Sequence, residues 1–381
     1  MAVTRFFLPT EIVAGAGSFA QLGKLVQPLG RRALVVGSPG RRGLLEMATA
    51  NLAAAGVEAG LYAGVGHEPT LDVVETARAQ AREMGAEVVI GIGGGSAMDA
   101  AKAAAGLYHQ PGTVAEYHTG RKLDPRPGLP LVCVPTTAGT GAEVTKNAVL
   151  IDPARRIKES IRDDSWFARL AVLDPELTLS LPAAMTASTG ADALCQAIES
   201  YVSIGAGPVS DPLAAEAVRL IGRSLERAVT RGDDLAARSD MLYGSLLAGM
   251  AMTNARLGAV HGLAHPLGAR YHIAHGVLCG LLLPTVMDYN IDYATDRYAR
   301  VAELLGLDVR GLGAKEAGQR GAAWVRELLA RIGIPMQLGP LGVKEADFDG
   351  IIAESLQQSS LKHNPRPMQA EDVRAVLVQA L

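Results

Sequence analysis

A chain of 381 residues is too long for one small core and suits two domains. At 49% hydrophobic and 20% charged, with a formal net charge of −3 and no basic stripe, it has the make-up of a globular enzyme and argues against a nucleic-acid partner. No apolar run reaches the ~18 residues a membrane span needs, and MAVTRFFLPTEIVAG lacks the basic and apolar regions of a signal peptide. Cys133, Cys195 and Cys279 have no C-x-x-C spacing and read as small buried hydrophobes of a reducing compartment. The expectation is a cytoplasmic protein with no membrane partner.

Up to about residue 182, β-branched runs alternate with helical patterns. RRALVVGS predicts a strand and RRGLLEMATANLAAAG an amphipathic helix; VEAGLYAGV, LDVVETARAQAREMG, EVVIGIG and SAMDAAKAAAG continue the alternation. LPLVCVPT reads as a buried strand, and EVTKNAVLIDPARRIKESI as a hairpin around DPAR. Such a pattern predicts an α/β fold, a Rossmann-like parallel sheet covered on both faces that binds ligands at the carboxyl ends of its strands. Beyond LDPELTLSLP, helical patterns take over, among them AAMTASTGADALCQAIESYVS, DPLAAEAVRLIGRSLERAV, RSDMLYGSLLAGMAMTNARLG, GQRGAAWVRELLARIG and AEDVRAVLVQAL. An α/β domain over 1–181 and an all-α domain over 182–381 are expected, with an active site in the cleft between them.

Two glycine-rich loops end strands of the predicted sheet. In GIGGGSAMDAAK, Gly93, Gly94 and Gly95 let backbone N–H groups approach a phosphate, Ser96 adds a hydroxyl, and the helix N-terminus adds partial positive charge. The usual dinucleotide fingerprint is absent, because Ser96 stands where its last glycine belongs. In PTTAGTGAEVT, Thr136, Thr137 and Thr140 put three hydroxyls beside Gly139 and Gly141. Either loop alone reads as a plain turn; together they point to a cofactor carrying a diphosphate.

The stretch HGLAHPLGARYHIAHG holds four of the eight histidines, His261, His265, His272 and His275. His261 and His265, four apart, share one helix face, and Pro266 and Gly268 are expected to interrupt that helix soon afterwards. Gly262 follows His261 where a zinc protease would carry glutamate, which excludes that class. Histidines alone leave a divalent ion's charge uncompensated, so a carboxylate is expected. Asp192, Gln196 and Glu199 form a polar stripe in TGADALCQAIES that a solvated face explains equally well, but beside the histidine cluster Asp192 becomes a candidate ligand.

The ordered set GIGGGSAMDAAK, PTTAGTGAEVT, LDPELT, TGADAL…AIESYVS, VHGLAHPLGARYHIAHG and NPRPMQAEDV resembles the iron-containing (group III) alcohol dehydrogenases over nearly the whole chain. The resemblance implies that Asp192, His261 and His275 ligate a metal and that His265 sits near the substrate, relaying protons. It implies that Gly94, Gly95, Ser96 and Asp99 meet the pyrophosphate and nicotinamide side of NAD or NADP. Thr136, Thr137, Thr140 and Val149 would then lie around the adenosine and phosphates, with Lys158 reaching a ribose. His272 has no counterpart and is expected to be a surface or packing residue.

Two departures from the family pattern matter. Iron-type members carry a histidine four residues after the aspartate; this chain has Gln196, a weaker, neutral oxygen donor. Gln196 is then a weak ligand, or a hydrogen bonder beside a three-residue set, or the sign of a depleted site; a bound Fe2+ or Zn2+ of reduced affinity is favoured. NAD-preferring relatives tend to place an acid after the strand that here reads ALVVGSPGRRG. Gly37 and Ser38 followed by Arg41 and Arg42 favour NADP, although the arginines also suit a solvated helix start. The expected reaction is hydride transfer between nicotinamide and a small alcohol or aldehyde, in a homodimer. The rivals are a cyclising lyase like dehydroquinate synthase, which would need more basic residues for a sugar phosphate, and a non-catalytic cofactor-binding relative.

Overall fold

A computed structural model describes residues 5–155 and 157–381. Residues 8–137 and 142–178 form one compact unit; 5–7, 138–141 and 179–381 form another.

The first unit carries β1 (Glu11–Ala14), α1 (Leu22–Val26), β2 (Arg32–Val36), α2 (Arg42–Ala54), β3 (Glu58–Tyr62), α3 (Leu71–Glu83), β4 (Val88–Gly93), α4 (Gly95–Gly106), α5 (Val114–His118), β5 (Leu131–Pro135), β6 (Asn147–Asp152), β7 (Ile157–Arg162) and β8 (Leu170–Leu173). Six strands form one parallel sheet in the order β1-β8-β5-β4-β2-β3. Along β2 the side chains alternate between two cores: Ala33 and Val35 pack with α1 and α2 through Leu22, Val26, Leu45 and Leu52. Leu34 and Val36 pack on the other face with Val74 and Ala77 of α3 and Ala101 and Ala104 of α4. A strand buried on both faces needs an unbroken apolar run, and RALVV supplies it. The expected hairpin is β6–β7, antiparallel with Val149 opposite Ser160. Its DPAR turn forms because Asp152 Oδ1 accepts from the Ala154 and Arg155 N–H groups at 3.0 and 3.1 Å.

The second unit carries α6 (Ala183–Val202), α7 (Ser210–Thr230), α8 (Leu235–Ala255), α9 (Ala259–Tyr271), α10 (His275–Asn290), α11 (Thr295–Leu304), α12 (Ala314–Arg331), α13 (Phe348–Gln357) and α14 (Ala370–Ala380). Helices α6, α7 and α8 pack on one another, and α10 packs on both α6 and α9. The expected break at Pro266–Gly268 is corrected: α9 runs through Pro266 and stops only at His272. A proline forfeits one helical hydrogen bond, a loss compatible here with burial of Leu263, Ala264, Pro266 and Leu267 around it. His272 ends the helix in the left-handed region at φ 56°, its N–H donating to Gly268 O at 3.0 Å, with its ring exposed. No helix among the described residues is long and apolar enough to cross a membrane.

Candidate functional site

Asp192, Gln196 and Glu199 lie on one face of α6, and that face is interior: each residue is at most 4% exposed. The solvated-face alternative is therefore overturned. His261 comes from α9, and His275 is the first residue of α10. His261 Nε2 stands 3.4 Å from Asp192 Oδ1, and His275 Nε2 3.7 Å from the same oxygen. Close approach of α10 to α6 makes this possible: a Cβ on Gly276 would lie 2.0 Å from Ser188 O, so only glycine fits there.

Glu199 had no assigned role in the sequence reading, although it shares the stripe with Asp192. Its Oε2 accepts from His261 Nδ1 at 2.6 Å and its Oε1 from the Val260 N–H at 2.6 Å. With the Nδ1 hydrogen committed to Glu199, His261 Nε2 keeps its lone pair for the Asp192 side, the arrangement seen around metal-bound imidazoles. Two cysteines flank the same ring. Cys195 Sγ lies 3.8 Å from His261 Nδ1; Cys279 Sγ lies 3.8 Å from His261 Nε2 and 3.5 Å from His275 Nε2. All three cysteines are buried and unpaired, as expected, but Cys279 also sits among the candidate ligands. The missed signal was its spacing, four residues after His275 on one helix face.

Burial disfavours charge on both rings. Even so, the Cys279 sulfur and the Glu199 and Asp192 carboxylates raise the His261 pKa well above the ordinary imidazole value, and Cys279 and Asp192 raise that of His275. Burial alone would raise the Cys279 thiol, but Cys195 and the two imidazoles hold it well below its usual value. Two carboxylates and a thiol thus converge on the two imidazoles. Asp192 Oδ1 and Gln196 Oε1 are buried oxygens without a hydrogen-bond partner, a costly state for polar atoms unless something else satisfies them. Orphan oxygens, imidazole nitrogens and a nearby thiol fit a divalent ion.

His265 points outward: it is exposed, its ring stacked on that of His275 with centroids 5.2 Å apart and 6.4 Å from that of His261.

The nucleotide-loop residues fall in the α/β unit, apart from Thr140, whose segment 138–141 groups with the helical unit. Gly93 has φ 150°, and a Cβ there would strike Ala97 at 2.7 Å. Gly94 starts α4 without a capping side chain, and its open side faces the Thr137 hydroxyl, 3.3 Å from where a Cβ would be. A side-chain-free helix start beside a threonine fits a pyrophosphate. Gly95 and Ser96 are half-buried, and Ser96 Oγ donates to His67 O at 2.7 Å. The Thr136 N–H donates to Gly93 O at 2.9 Å, which ties the two loops together.

Asp99 accepts from the Val149 N–H at 3.0 Å and lies 3.6 Å from Lys102, whose ammonium donates to Ala142 O, Thr145 Oγ1 and Asn147 O. These two residues clamp the hairpin and the threonine loop onto α4. Lys158 is ion-paired with Glu68. Gly37 is buried against Leu45, and Ser38 is half-buried at the end of β2. Arg42 pairs with Glu46 at 2.9 Å on the surface. Trp166 and Phe167 are core residues, and Trp324 is half-buried.

A doubly covered parallel sheet in one unit and a buried carboxylate–imidazole cluster in the other are features that a metal-dependent, dinucleotide-using enzyme requires. Comparison with known proteins is specific. The iron-containing alcohol dehydrogenase model matches residues 9–175, and the C-terminal model of the Fe-containing alcohol dehydrogenase family matches 186–381. Long-chain-alcohol dehydrogenase 1 of Geobacillus thermodenitrificans is 41% identical, covering 99% of this chain and 96% of its own. The NAD-dependent methanol dehydrogenase of Bacillus methanolicus is 34% identical over the full length of both. A solved 1,3-propanediol oxidoreductase superposes over 100% of both chains with a TM-score of 0.96 at 36% identity. The chain belongs to the iron-containing alcohol dehydrogenase family, whose reaction class is alcohol oxidation and aldehyde reduction with NAD(P) and a divalent metal. These matches do not favour the lyase reading.

Proposed function

We propose that Asp192, His261 and His275, with Gln196 adjoining, hold one Fe2+ or Zn2+ ion, and that the enzyme interconverts small alcohols and aldehydes with NADP as the preferred dinucleotide. The observation that carries the metal assignment is the orphaned, buried Asp192 Oδ1, 3.4 and 3.7 Å from two imidazole nitrogens. When bound, the ion supplies Lewis acidity toward the substrate oxygen and the dinucleotide supplies the hydride chemistry. Glu199 fixes the His261 tautomer through the Nδ1 hydrogen. His265, exposed and stacked on His275, passes the hydroxyl proton to water. Gly94, Gly95, Ser96 and the Thr136–Thr137 hydroxyls receive the pyrophosphate at the N-terminus of α4, with Asp99, Val149 and Lys158 of the same unit completing the nucleotide's surroundings.

NADP rests on the absence of an acid at Gly37–Ser38 and on Arg41 close by; the Arg42–Glu46 pair weakens the contribution of Arg42. A homodimer is the ordinary oligomer for such a chain, and three unpaired buried cysteines suit a reducing compartment such as the cytoplasm. The test is metal analysis of the purified protein with NADPH and NADH oxidation across an aldehyde panel. Asp192→Ala and His261→Ala should lose both metal and turnover; full turnover of either after chelation would refute the site. A lower KM for NADH than for NADPH would overturn the cofactor preference.

A further inference from the structure

Gln196, four residues after Asp192, offers the centre only a neutral amide oxygen, which leaves it short of one strong donor. A thiol stands nearby. Cys279 is fully buried on α10, one turn after His275 and on the same face, and its Sγ faces both imidazoles.

Resting on the metal assignment above, we propose that Cys279 is itself a ligand, completing with Asp192, His261 and His275 a carboxylate–imidazole–imidazole–thiolate set suited to zinc.

Geometry is the first argument. Zinc holds oxygen and nitrogen donors at ~2.0–2.2 Å and thiolate sulfur at ~2.3 Å in a tetrahedron, so neighbouring donors stand about 3.4 Å (N to O) to about 3.6 Å (N to S) apart. The protein places His261 Nε2 and His275 Nε2 at 3.4 and 3.7 Å from Asp192 Oδ1, and at 3.8 and 3.5 Å from Cys279 Sγ. All four donor atoms lie within 4.8 Å of one another. Four of the six donor-to-donor distances of such a tetrahedron are thus within a few tenths of an ångström of the expected edges.

Charge is the second argument. Among the direct donors Asp192 alone is anionic, and the Glu199 carboxylate reaches the ion only through His261, so a second anionic donor strengthens the hold on a buried divalent ion. Cys279, bound as a thiolate, is that second anionic donor. A thiolate is also a softer donor than the imidazole it replaces and shifts preference toward zinc. Zinc accepts five-fold coordination, so a four-residue set does not close the site to substrate.

Cobalt(II) in place of the native metal gives the test, because a cobalt–thiolate bond produces a charge-transfer band in the near ultraviolet whether or not the enzyme turns over. Wild-type protein stripped with chelator and reloaded with Co2+ should show that band at one cobalt per chain. Cys279→Ser should lose it, while Cys195→Ser and Gln196→Ala keep it. Cobalt bound without the band, or a band that survives Cys279→Ser, overturns the thiolate ligand and leaves the metal centre standing. Failure of wild-type protein to bind cobalt overturns both. X-ray absorption of the zinc-loaded wild type needs no variant: one sulfur scatterer at about 2.3 Å is expected, and a shell of nitrogen and oxygen alone refutes the proposal.

Discussion

Glu199 is where a conservative change should separate the metal's support from the metal itself. Its two carboxylate oxygens accept from His261 Nδ1 and from the Val260 N–H, both at 2.6 Å, and the residue is 4% exposed. Glu199→Gln keeps the shape, but only one amide oxygen can accept; the amide nitrogen must face one of the two donors. One buried N–H then lacks a partner, which costs about 1–3 kcal/mol of folding stability. Glu199→Ala strands both donors and should cost roughly twice as much. Loss of the carboxylate also frees His261 to place its hydrogen on Nε2, the nitrogen turned toward Asp192 and the ion, so metal affinity should fall about 10–100-fold. Urea unfolding of the metal-free proteins measures the first effect, and competition with a chromophoric chelator the second. Glu199→Ala with metal affinity within twofold of wild type would show that this side chain does not set the His261 tautomer.

Three further outcomes follow from the same structure. Gly276→Ala puts a methyl group 2.0 Å from Ser188 O and 3.4 Å from Asp192 Cβ; α10 must move off α6, at a cost of about 1–3 kcal/mol or more, and equilibrium dialysis showing wild-type metal content would refute that packing. Gln196→His exchanges a neutral oxygen donor for imidazole and should tighten metal binding about tenfold, comparable to other changes beside bound metals; unchanged affinity in chelator competition would mean that residue 196 does not face the ion. Burial raises the Glu143 carboxyl from 4.5 to about 7, and its Oε1 has no partner. Between those values the folded chain binds more protons than the unfolded one, so stability should fall as pH rises through that window, by about 3 kcal/mol at roughly 1.4 kcal/mol per pH unit. Glu143→Gln should flatten that slope in thermal unfolding across pH 4–8, and an unaltered slope would assign it to other groups.

The α/β unit was legible because a strand covered on both faces writes an unbroken apolar run, as RALVV and VVIGIG do. The four-residue strands EIVA and LAVL were missed: nothing local separates so short a run from a buried loop, and what makes them strands is pairing between Glu11–Ala14 and Leu170–Leu173, some 160 residues apart. Pro266 misled for the opposite reason. Helix propensity is a local quantity, and the burial of α9 around the proline outweighed it.

The proposed centre draws on three pairs spaced i, i+4, one per helix: Asp192 with Gln196, His261 with the outward-facing His265, and His275 with Cys279. Spacing announces that both members of a pair share a face, and this much was readable. Which faces turn toward one another depends on how α6, α9 and α10 pack, and no local pattern carries that. In the α6 pair both members are interior, in the α9 pair His261 is buried while His265 meets solvent, and in the α10 pair the cysteine lies deeper than the histidine. A buried cysteine is by default a small hydrophobe, and only convergence with two imidazoles and an unpartnered carboxylate oxygen gives Cys279 another reading. What Gln196 contributes to the proposed centre is therefore decided across the helices, by what the neighbouring faces, Cys279 among them, bring to the same point.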